Sequence, residues 1–153
     1  MSEVNMETAK AMYGTVCSAL DEMNLNYRKF EEDLVITFGY KGQDMNHDVI
    51  IIVNAEREVI QLVEKLPFEI DENKAADVSR AVCYANQYLV SGRFIYNMKD
   101  EISFKLTQFY AGSLIGHEVI KNMIIALAVT VEGYDDKFMA LNKGYLKPED
   151  FAD

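Results

Sequence analysis

The residues with most chemical promise lie in Asp44-Met45-Asn46-His47-Asp48, where oxygen donors at alternate positions match the opening of a calcium loop. Such a loop also needs a glycine at its sixth position and a bidentate glutamate at its twelfth, and Val49 and Ala55 stand there instead. The segment reads as a polar hairpin turn in which an asparagine side chain supports the backbone. His47 and His117 are the only histidines, far apart and without a second ligand nearby in sequence. His117 precedes Glu118 where the last helix begins, which suits a surface or capping role. Glu31-Glu32-Asp33 and Tyr134-Asp135-Asp136 could hold a cation, but neither has a third ligand in fixed register, and solvated charge accounts for both. Ser91-Gly92-Arg93 and Tyr110-Ala111-Gly112-Ser113 are loops that lack the strand-to-helix glycine pattern of a phosphate cradle. No catalytic, cofactor-binding or metal-binding residue is therefore assigned.

Whatever these residues do is set by the elements around them. Ala9, Met12, Tyr13, Val16, Leu20 and Met23 recur at helical steps, with Glu3 and Glu7 placed to favour the helix dipole and Asn24 and Asn26 closing the segment. Leu34, Ile36, Phe38 and Tyr40 alternate as a strand, followed by a turn at Lys41–Asp44. The β-branched run from Asp48 to Asn54 predicts a central strand, and Arg57 to Leu66 a third one paired to it by a short connector. Pro67 ends the third strand.

Ala75, Val78, Val82, Ala85 and Leu89 share one face of a second helix, which Gly92 stops. Phe94, Tyr96 and Met98 give a fourth strand, and Ile102, Phe104 and Leu106 a fifth. The last helix spans about Gly116 to Leu141, with Val119, Ile120, Met123, Ile124, Leu127, Val131, Tyr134 and Phe138 as its buried stripe. The tail after Gly144 is polar and expected to be loose. The expectation is one α+β domain over 1–153 with a core at about 8–144. Its twisted antiparallel sheet has about five strands packed with three helices, in the order α-β-β-β-α-β-β-α.

Composition narrows the partners. Acidic residues number 25 against 15 basic ones, a net charge of −10, and the chain has no basic run. A nucleic-acid backbone would be repelled. The longest apolar stretch, Met123 to Val129, is far short of the roughly 20 residues of a membrane span. Cys17 and Cys83 each fall inside a predicted helix beside apolar residues, and with no secretory signal both are read as reduced core thiols of a cytoplasmic protein. Met6, Met12, Met23, Met45, Met98, Met123 and Met139 are dispersed. Core filling and an adaptable binding surface are both open readings for them.

The stretch Ala85-Asn86-Gln87-Tyr88-Leu89-Val90-Ser91-Gly92-Arg93-Phe94 joins a helix carrying an asparagine to a strand opened by Gly-Arg-Phe, ahead of a hairpin and a long closing helix. This join and the element order resemble the YbjN-like family, whose domain shares the fold of type III secretion chaperones. The resemblance runs from about Thr8 to Gly144, with Leu89-Val90-Ser91 where members often carry a Leu-Pro pair. It implies regulation or chaperone-like binding and brings no catalytic residues or cofactors. The alternative is a small-ligand domain or enzyme using a cleft of tyrosines and acids, which a deep pocket with converging polar groups would favour. A purely structural module is a third option.

Ile125 and Val129 lie off the main stripe of the last helix, and Ile50 and Ile52 alternate against the inward set Val49, Ile51 and Val53. These four residues form the expected interaction surface, covered by a homodimer or an unidentified protein partner. The first helix of the same chain is the other candidate cover.

Overall fold

The structure, a computed structural model, describes residues 4–152. Helix α1 spans Met6–Glu22, opened by Asn5, whose side chain accepts from the Thr8 N–H. Glu7 sits in its first turn; Glu3 lies outside the described residues. Strands β1 (Tyr27–Phe30), β2 (Val35–Lys41), β3 (Asn46–Asn54) and β4 (Val59–Lys65) follow, then helix α2 (Ala75–Gln87). Strands β5 (Arg93–Tyr96) and β6 (Ile102–Phe109) and helix α3 (His117–Asn142) complete the regular elements. The sheet is antiparallel throughout and ordered β1-β2-β3-β4-β6-β5.

The α+β class and the antiparallel sheet agree with the sequence, and the second predicted strand is interior as expected. The sheet has six strands rather than about five, because β1 was not anticipated. Tyr27-Arg28-Lys29-Phe30 is short and mostly exposed, so its side chains carry no inward-outward contrast to read.

Strands β2, β3, β4 and β6 each have one covered face. Ile36 and Phe38 of β2, Val49, Ile51 and Val53 of β3, Ile60 and Leu62 of β4, and Ile102, Phe104 and Leu106 of β6 are buried in one continuous core. Helices α1, α2 and α3 supply the opposing side through Leu20, Val78, Ala85, Leu127 and Val131. Burying each such Val, Leu or Ile side chain contributes about 1.5–3 kcal/mol. Val119, expected on the α3 stripe, is exposed, since it lies about 100° around the helix from Ile120, outside the arc that Ile120, Met123, Ile124, Leu127 and Val131 bury.

The segment after Gly144 is not loose. Pro148–Phe151 forms a turn of 3-10 helix in which Phe151 is fully buried against Phe138, ring centres 4.9 Å apart, while Arg80 pairs with Glu149. A single aromatic anchor outweighs the polar composition around it. Cys17 is buried, but Cys83 is exposed, because α2 turns its Val78, Ala81 and Ala85 face to the core.

The join at Asn86–Phe94 has a clear physical basis. The Asn86 side chain accepts from the Phe94 N–H at 2.8 Å and donates to the Phe94 carbonyl at 3.0 Å, clipping α2 to β5. Gly92 has φ +78°, and a Cβ there would stand 2.4 Å from the Phe104 ring. Only glycine meets both conditions.

Candidate functional site

Two regions could carry function, one on each face of the sheet. On the covered face, the inward alternation of β2, β3 and β4 ends in polar residues: Tyr40 follows Phe38, His47 precedes Val49, and Glu64 follows Leu62. Asp135 of α3 closes over them. His47 Nδ1 lies 2.6 Å from Glu64 Oε1, Tyr40 donates its hydroxyl to Glu64 at 3.1 Å, and the Tyr40 and His47 rings stack at 4.7 Å. Asp135 Oδ2 stands 3.5 Å from His47 Nε2, which has no hydrogen-bond partner among the described residues. Gly42 completes the enclosure: a Cβ there would lie 2.7 Å from His47 Nε2 and 2.8 Å from Glu132 Oε1.

His47 therefore belongs to a strand, not to a solvated turn, and Asp135 is buried rather than part of a solvated acidic cluster. Burial pushes the Glu64 carboxyl up to about 7, opposed by His47 and Tyr40, which favour its charged form. Burial also raises Asp135, against the pull of the Asp136 N–H and of His47. A protonated imidazole donates to both carboxylates, a neutral one to a single carboxylate. The groups could exchange protons, but His47 and Glu64 are at most 1% exposed. Nothing dissolved reaches them in this conformation. Among the described residues no group of His, Cys, Asp or Glu is arranged to hold a metal ion. His117 lies at the surface, with Nδ1 2.8 Å from Glu22 Oε1.

Among the described residues, no helix lies on the other face of the sheet. Val35, Thr37, Ile52, Gln61, Val63, Ser103 and Thr107 are half-buried and Ile50 is 42% exposed; Val59, at the far end, is the outward residue that is buried. Between β3, β4 and the 66–69 segment lies a shallow recess of about 590 Å³, floored by Ile50 and Val63 and walled by Pro67 and Phe68. A second cleft, of about 710 Å³, runs between α1 and the β1 end of the sheet and is lined by Met6, Lys10, Tyr13, Cys17 and Lys29. The methionines divide: Met12 and Met123 fill the core, whereas Met6 and Met98 are exposed.

Of the four residues expected to form an interaction surface, Ile50 and Ile52 lie on this open face. Ile125 and Val129, 52% and 66% exposed, share the outer side of α3. The structure thus puts the two pairs on opposite sides of the molecule. Helix α1 covers neither pair.

A six-stranded antiparallel sheet with three helices on one face and an open second face defines a class of small α+β proteins. Residues 13–139 match the YbjN family, described as "putative bacterial sensory transduction regulator", and the chain belongs to that family. No curated protein sequence matches it. Among solved structures, it is similar to YbjN of E. coli, described as "a putative transcription regulator", with a TM-score of 0.60 at 8% identity, over 81% of this chain and 91% of that one. It is also similar to a chain in the ExsC–ExsE complex, with a TM-score of 0.61 at 11% identity, over 84% of this chain and 93% of that one. At these identities the likeness is one of fold.

Proposed function

We propose that this chain is a non-catalytic protein-binding module, regulatory or chaperone-like, that takes its partner on the open face of the sheet in the cytoplasm. The observation that carries this reading is the uncovered apolar centre formed by Val35, Ile50, Ile52 and Val63 on a sheet whose other face is packed by helices. Soluble proteins rarely leave such a patch without a use. Membership of a family described as a regulator supports the reading, as does a fold shared with a chain seen in a two-protein complex. The rival, an enzyme using tyrosine and acidic groups, has its groups in the Tyr40–His47–Glu64–Asp135 cluster, but its acid–base pair His47–Glu64 is buried and only Tyr40 is half-buried. No helix among the described residues is long and apolar enough to cross a membrane.

The outer side of α3, with Ile125 and Val129, is the proposed surface for self-association. Sedimentation of wild type against Val129→Asp tests that part, and a monomer in both removes it. The main test is capture of partners from the source cell by wild type and by Ile50→Asp. Loss of the captured partner with unchanged circular dichroism is expected. Undiminished capture would sink the docking surface.

A further inference from the structure

The open face carries a charge pattern opposite to that of the whole chain. In a protein of net charge −10, the outward-facing strand residues include Arg28, Lys41, Lys65, Arg93 and Lys105 against Asp48 as the sole acid. The strand registers place these charges in order. One row across the sheet reads Arg28, Thr37, Ile50, Val63, Lys105, Arg93, from the β1 edge to the β5 edge. The next row reads Phe30, Val35, Ile52, Gln61, Thr107. An apolar centre is therefore flanked by cations at both ends. Lys65 is paired with Glu101 at 3.2 Å, but Arg28, Arg93 and Lys105 join no ion pair among the described residues.

We infer that the partner segment is an acidic amphipathic helix laid across the strands, with apolar side chains on Val35, Ile50, Ile52 and Val63. Carboxylates near its ends meet Arg28 on one side and Lys105 with Arg93 on the other. This rests on the reading of the open face as the docking surface and adds the chemistry of what docks there. A sheet face, unlike a sheet edge, offers no backbone groups for pairing. A segment that covers it must satisfy its own N–H and C=O groups, and a helix does so. Five strand spacings of about 4.8 Å make the row about 24 Å long, which about 16 helical residues span. The recess beside Ile50 and Val63, walled by Pro67 and Phe68, accepts one large apolar side chain of such a helix; Asp48, Glu69 and Glu101 also line it, the last paired with Lys65, so the carboxylates of the helix belong at its ends and not over the recess. Elsewhere the acidic surface repels the same segment, so the charge pattern selects the face as well as the partner.

The test is selection from a displayed library of random peptides of about 16 residues, followed by affinity measurements on the selected peptides. Enrichment of sequences with an apolar centre and acidic ends is expected. Their binding should weaken about tenfold or more in Arg28→Glu/Lys105→Glu and should fall as salt rises from about 50 to about 500 mM. Enrichment of basic or neutral peptides, or acidic peptides indifferent to the charge reversals, would overturn the inference. So would sedimentation showing that wild type self-associates and that the same reversals dissociate it, because the occupant would then be a second copy. If Ile50→Asp abolishes partner capture while the charge reversals leave it intact, the docking surface stands and the acidic helix falls.

Discussion

The two faces of this sheet are built from the same strands and similar side chains, yet they bear opposite risks. Ile51 points to the helices and is fully buried; Ile50, its neighbour, points away and is 42% exposed. The covered face encloses titratable groups that would be at ease in water, and the open face shows water apolar groups that would be at ease in a core. Stability is invested on one side and availability on the other. A partner docked on the second, as proposed, would leave the first undisturbed.

The largest effect should come from equal truncations on the two faces. Ile51→Ala is expected to cost about 2–5 kcal/mol, whereas Ile50→Ala should cost less than about 1 kcal/mol. Urea unfolding of the pair measures this, and similar midpoints would erase the contrast. Next comes the buried cluster. His47→Ala leaves the Glu64 carboxylate with Tyr40 as its remaining side-chain donor and should cost about 3 kcal/mol at neutral pH, read from the same unfolding curves.

The pH dependence is smaller. Glu64 titrates near 7 in the folded chain against an ordinary value of 4.5. A raised folded value means that its favourable contribution is complete below about 4.5 and is lost as pH climbs through about 7. Glu64→Gln keeps the size and the acceptor for Tyr40 but removes the titration. The variant should therefore gain on wild type by on the order of 1–3 kcal/mol between pH 5 and pH 8. A constant difference in thermal midpoint across that range would show that burial does not burden Glu64. The smallest effect is on the open face, where Lys105→Glu should change stability by less than about 0.5 kcal/mol while altering partner binding. A marked loss of stability there would mean that the cation serves the fold.

Periodicity made most of the architecture readable, because helices and interior strands declare which side they bury. Strand β1 stayed hidden, since an exposed four-residue edge strand has no such side. The polar cluster was hidden for another reason. His47 and Glu64 are 17 residues apart and meet only through the β3–β4 register, in which Val49 faces Glu64. A signal did exist. Counting inward by twos from Phe38, Val49 and Leu62 arrives at Tyr40, His47 and Glu64, and counting by four and three from Val131 and Phe138 arrives at Asp135. Polar residues in phase with a buried stripe point to an enclosed network, and local motif spacing does not register them. The open face was legible in its isoleucines but not in its cations, whose alignment across strands depends on pairing that one sequence does not display.

The Asn86 clip has a consequence beyond holding α2 to β5. By occupying both backbone groups of Phe94, it prevents an added strand from pairing at the start of that edge. At the opposite edge, β1 offers four residues and places Arg28 and Lys29 in the way. A sheet with an uncovered apolar face and two receptive edges would risk growing into fibrils. Here an amide at one edge and charge at the other oppose growth strand by strand.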